Sequence, residues 1–207
     1  MAAPGTFAPP SEADVTRLVR EHPFAWVIAA DAGDFAATPL PLRPEVDAEG
    51  RVTALLGHFA RSNPQVELLR SRPRALVLFL GPHGYVSPSW FGDRTRTPTW
   101  NYATVQYLVD VGFIDDRPGT DAVLRDLIDA MEEGRPDAWS MEETGPRLER
   151  LVTGIVAFRA VVVERRAKFK LGQDERDSEY RDITAALRGA GDDELLAWME
   201  RCASRRC

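Results

Sequence analysis

Lysine is nearly missing from this chain. Of its 26 basic residues only Lys168 and Lys170 are lysines, two apart in the stretch AKFKL, and the rest are arginines. A bias in base composition accounts for the arginines, and against that bias two neighbouring lysines stand out. Cysteine is as scarce. Cys202 and Cys207 lie in a polar C-terminal stretch, which excludes a disulfide framework or a zinc site and suits a reducing cytoplasm. No apolar run approaches the roughly 20 residues of a membrane span. The N-terminus MAAPGTFAPPSEA lacks the basic and apolar regions of a secretory signal. A net charge of -6 argues against a generally basic nucleic-acid surface. No nucleophile elbow, P-loop, HExxH motif or evident catalytic triad occurs, and the paired acids at 115–116, 132–133 and 192–193 read as solvated turn and helix-end charges.

What is present is a run of short, apolar, β-prone segments. With 207 residues and 44% hydrophobic content the chain can bury a sizeable core. Ser11 and Asp14 have the spacing of a helix start, and Val15, Leu18 and Val19 form its apolar stripe. That helix is expected to end at His22-Pro23. Residues 24–30, 35–42, 51–58, 74–80 and 103–115 read as strands, with 74–80 (RALVLFL) central. Asn63-Pro64 marks the start of a short helix. Residues 120–133 and 146–152 have helical spacing, residues 154–164 return to strand, and the tail from 175 predicts two charged amphipathic helices. Strands joined by hairpin turns, without βαβ units, predict an antiparallel barrel with peripheral helices.

Three stretches carry candidate chemistry. At residues 57–64, GHFARSNP runs from a strand through a turn into a helix start. Unpaired backbone N–H groups there suit a phosphate, with Arg61 as a bidentate donor and Ser62 and Asn63 completing the cradle. The plainer reading is a cap by Asn63, a surface ion pair at Arg61 and a turn histidine at His58. Residues 81–102 (GPHGYVSPSWFGDRTRTPTWNY) hold five of the chain's eighteen aromatics. Trp90, Trp100 and Tyr102 offer a flat wall to a planar ring, and Ser87, Ser89, Thr99 and Asn101 offer directed hydrogen bonds. The same aromatics suit a subunit interface; stacking on single-stranded nucleic acid fits less well, since the local basicity is thin. Lys168 and Lys170 point the same way on a strand, so an anion between or beside them relieves their repulsion, whether a ligand phosphate or one of the chain's carboxylates.

The series GHFARSNP at 57–64, GPHGYVSPSW at 81–90, PTWNY at 98–102 and KFKLGQ at 168–173 resembles the PaiB family, with HPF at 22–24 and LPL at 40–42 in support. These are FMN-binding split-barrel proteins often described as negative transcriptional regulators. The resemblance spans roughly residues 1–187. It implies a six-stranded split β-barrel over residues 1–172 with inserted helices, followed by a helical appendage over 173–207. It also implies a homodimer with FMN at the subunit interface. The phosphate is then held around His58, Arg61, Ser62 and Asn63. The ring lies against Trp90 and residues 99–102, with Lys168, Lys170 and Gln173 at the strand end. The chain departs from the family where tryptophan becomes Val66, histidine becomes Gln106, serine becomes Gly172 and asparagine becomes Asp174. Haem, or no cofactor, is the alternative those departures raise. A flavin-dependent oxidoreductase acting on a small molecule stands beside the regulator as a function. No helix-turn-helix signature supports direct DNA contact.

Overall fold

The computed structural model describes residues 5–31 and 34–203. In chain order the elements are α1 (Glu12–Glu21), β1 (Phe24–Asp31), β2 (Asp34–Pro41), β3 (Arg43–Val46), β4 (Val52–Ala60), α2 (Gln65–Ser71), β5 (Arg74–Val86), β6 (Thr99–Ile114), α3 (Arg117–Glu132), α4 (Leu148–Thr153), β7 (Ile155–Lys170), α5 (Asp177–Ala190) and α6 (Asp193–Cys202). The strands form one sheet in the order β2-β1-β5-β6-β7-β4-β3, and each neighbouring pair is antiparallel.

This corrects the expected barrel of six strands: there are seven, hydrogen-bonded in an open order with β2 and β3 at its edges. The extra strand is β3, four residues paired only with β4 through a bulge. Its sequence RPEV carries a proline and two charges, as edge strands do, and shows no apolar alternation. The centre of the sheet is β6, whose alternation is nearly unbroken: Asn101, Ala103, Val105, Tyr107, Val109 and Val111 are buried inward, while the residues between them face out.

The helices begin where the chemistry expects. Ser11 accepts the backbone N–H of Asp14 at the start of α1, and the helix ends at Glu21, two residues before Pro23. The inner face of the sheet, α1, α5 and α6 share one apolar cluster that includes Leu18, Phe59, Phe79, Phe158, Phe169, Ile183, Leu195 and Trp198. Each of these large side chains stabilises the fold by about 1.5–3 kcal/mol through burial. The C-terminal pair α5–α6, expected as an appendage, thus contributes to the same core as the strands. Glycines allow its close approach: a Cβ at Gly84 would stand 2.6 Å from Leu195. The helix α3 packs against β4 and β7, while on the face of β1, β5 and β6 that points away from the core Phe24, Trp26, Leu80 and Trp100 stay exposed.

Candidate functional site

The 57–64 stretch folds as a strand end, a turn and α2. Arg61, directly after β4, donates from Nε to the Thr153 carbonyl (3.2 Å) and from Nη2 to the Ile155 carbonyl (2.8 Å), which clips the turn to the start of β7. Among the described residues it makes no ion pair, though after the hydrogen bond from Arg70 its charge helps hold the Asp115 carboxyl below the usual range, and it lines a cleft of about 320 Å³ with Asp115, Arg117, Thr120 and Glu149. Ser62 is exposed. Asn63 is occupied: its Oδ1 accepts the Gln65 N–H (2.9 Å) and its Nδ2 donates to Thr38 Oγ1 (3.0 Å). Thr38 in turn donates to Gln65 Oε1 (2.6 Å), and Gln65 Nε2 to the Val27 carbonyl (2.9 Å), so this polar ring ties α2 to β1 and β2. His58, on β4 opposite Ala157, is half-buried; among the described residues its Nδ1 is buried without a partner, and burial lowers its pKa below the ordinary 6.5.

The aromatic segment divides between three elements. Residues 81–86 continue β5 through a bulge at Gly81-Pro82, a place a sheet tolerates proline, and residues 99–102 open β6. Between them Ser87 and Ser89 bond each other (2.8 Å) and shape the 3-10 turn that carries Trp90. After the bulge, His83 and Tyr85 share the outer face with Trp100 and Tyr102. His83 stacks on Trp100 at 6.4 Å between centroids, and Tyr85 meets the same ring edge-on at 5.9 Å. Trp100 and Tyr85 are 53% and 47% exposed, so this wall faces solvent.

Both lysines join that face. Lys170 Nζ donates to Thr99 Oγ1 (2.7 Å) and to the Trp100 carbonyl (2.9 Å). Lys168 holds its ammonium over the rings of Phe7 (5.4 Å) and Tyr102 (5.6 Å). Neither is in an ion pair among the described residues, although arginines throughout the chain are. Asn101 and Gln173 go elsewhere. Asn101 is 1% exposed and reaches the Met199 sulfur (3.4 Å); Gln173, equally buried, closes a turn between the Leu171 N–H and the Phe169 carbonyl.

The structure therefore sorts the candidate residues into two groups and keeps them apart. Register places His58 beside Ala157 and Ala157 beside Ile114, whereas Lys170 lies beside Tyr102. Twelve residues of β6 separate the two ends, roughly 40 Å at a strand's rise. Three participants were not among the sequence candidates. His83 and Tyr85 face the site because the bulge shifts the alternation by one; Phe7 arrives from the N-terminal segment, whose backbone carbonyl accepts the Phe169 N–H. The period-two spacing of His83, Tyr85, Trp100 and Tyr102 was the available signal.

A family description, "Putative FMN-binding domain", matches residues 1–164. The chain belongs to this family. A relative in Bacillus subtilis (strain 168), protease synthase and sporulation protein PAI 2, is 30% identical over 190 residues, covering 90% of this chain and 89% of the relative. Uncharacterized protein YKL070W of Saccharomyces cerevisiae is 35% identical over 144 residues, 65% of this chain and 83% of its own length. In fold the chain is similar to the FAD and heme binding protein from Mycobacterium smegmatis, with a TM-score of 0.58 at 19% identity over 86% of this chain and 78% of that one. It is likewise similar to the flavocytochrome Anf3 from Azotobacter vinelandii, with a TM-score of 0.58 at 16% identity over 84% and 82%. The membership of this FMN-binding family makes FMN the cofactor, and the donors fit it. A phosphate requires cations, which Arg61, Lys168 and Lys170 supply without an ion pair among the described residues; a planar ring requires a flat face, which Trp100 offers with His83 stacked beside it. The departure at Gly172 has a backbone cause, since its φ of +84° is left-handed and glycine adopts it without strain. Among the described residues no helix is long and apolar enough to cross a membrane.

Proposed function

We propose that the protein is a homodimer that shares each FMN between its subunits. The phosphate sits at the Arg61 end of one chain, and the ring lies against Trp100, Tyr102 and the lysines of the other. The carrying observation is the separation of the two groups of donors within one chain, too far for one flavin to touch both. A two-fold axis that sets the outer sheet faces against each other in opposite directions brings one chain's Arg61 end toward the other's lysine end. The face that this buries is apolar and exposed: Phe24 (64%), Trp26 (48%) and Leu80 (50%) continue across the register into Leu78, Leu76 and Leu108. We read the six longer strands as the split barrel of the family, with β3 added at one edge.

In this arrangement Arg61 binds the phosphate, Trp100 and Tyr102 orient the ring, and Lys168 and Lys170 supply positive charge where a reduced flavin is anionic. Bound FMN supplies one- or two-electron transfer, so no side-chain nucleophile is required. The resemblance to PaiB-type regulators then reads as flavin-linked control, with a small-molecule oxidoreductase as the enzymatic form of the same site. Sedimentation with and without FMN, followed at the flavin absorbance, tests the reading. We expect a dimer that carries flavin. A monomer that binds FMN tightly overturns the shared site, and a dimer that takes up none overturns the cofactor.

A further inference from the structure

We propose that Arg96 is a positioning residue of the flavin site, strapping residues 91–98 to the first turn of α5; its effect on flavin rests on the reading above. These residues join the turn carrying Trp90 to the start of β6, where Thr99 and Trp100 stand. One end is fixed by Phe91, 6% exposed. The middle is shaped by Asp93, which accepts the Thr95 N–H (3.0 Å) and hydroxyl (2.6 Å). The other end is held by Arg96, which reaches Glu175 (2.9 Å) through Nη2 and Glu179 (3.1 Å) through Nε.

Those two carboxylates are 10% and 6% exposed, against 35% for the arginine. Glu179 also accepts the backbone N–H of Arg176 (3.1 Å), which places its charge at the helix end that favours anions. Arg176 stands 3.9 Å from Glu179 but is 73% exposed, and Asp93, its own pKa held low by Thr95, senses both Arg176 and Arg96. Arg96 thus bridges two largely buried acids, and α5, which also packs on the turn carrying Trp90, lies beyond the residues the family description matches. Removing the guanidinium takes an opposite charge from both carboxylates in a poorly hydrated place and releases residues 91–98 from α5.

The test compares the parent with Arg96→Met, Arg96→Lys, and Arg96→Met combined with Glu175→Gln and Glu179→Gln. In flavin-free protein, hydrogen-exchange protection of residues 91–98 is expected to fall about tenfold or more in Arg96→Met at pH 8. It should be partly rescued by Arg96→Lys and stay low in the triple variant, which lacks the bridge altogether. FMN affinity should follow the same order. Protection within about twofold of the parent in Arg96→Met overturns the strap. Lost protection with unchanged FMN affinity overturns its role in the site. A parent that binds no FMN overturns the flavin reading and that site role with it, while the exchange ratio still decides the strap.

Discussion

Tyr107 carries its hydroxyl into the core, fully buried and without a hydrogen-bond partner among the described residues, and burial pushes its pKa well up. An unsatisfied buried polar group costs about 1–3 kcal/mol. Tyr107→Phe is therefore expected to raise stability by about 1 kcal/mol in a denaturant melt, where most core changes lower it; a loss of that size instead shows that the hydroxyl has a partner. His58 titrates in the opposite direction. Because its folded pKa lies below 6.5, the unfolded chain takes the proton first as pH falls. The stability of the neutral buried ring is complete above about 6.5 and is lost as pH descends through the folded value. His58→Gln should flatten the decline in melting temperature between pH 7 and 5, and an unchanged slope counts against this account. At this scale the paired lysines were legible, since period two on a strand puts both on one face. Their contacts were not, because Phe7 and Thr99 are far away in sequence. Asn101 was misjudged although its parity with Ala103 and Val105 already points it inward.

Among the elements, β5 and β7 run well past the segments that alternation marks. β5 passes through Gly81-Pro82, which looks like a stop but is a bulge, and β7 continues through ERRAKFK, whose outward side chains are charged. The core strands and α1 were readable because burial, alternation and caps agree there. β3 was not, since an edge strand of four residues has no periodic signal. The C-terminal helices were readable as helices, but their polarity disguised how much they bury. Trp198, 3% exposed, meets Phe169 edge-on at 5.7 Å, one residue from each lysine. Trp198→Ala should cost about 3–5 kcal/mol in equilibrium unfolding, as for a core aromatic. A loss below about 1 kcal/mol would fit a detachable appendage instead.

For the whole molecule, the sheet has one face closed by the core and another left largely apolar. The residues suited to FMN lie at opposite ends of its longest strands. The family resemblance carried the cofactor and the fold class, but neither motif spacing nor composition measures how far apart two motifs stand once the strands are paired. Only the register does that, and from it follows the claim that the site needs two chains. The direct test is complementation. Arg61→Ala chains and Lys168→Met, Lys170→Met chains are co-expressed with different tags, and the mixed dimer is isolated through both. In that dimer one shared site contains every native residue and the other contains both defects. We expect each parent variant to bind FMN poorly and the mixed dimer to bind it with native affinity at about half the native stoichiometry. A mixed dimer that binds no better than the two variants alone would show that each chain holds its flavin by itself.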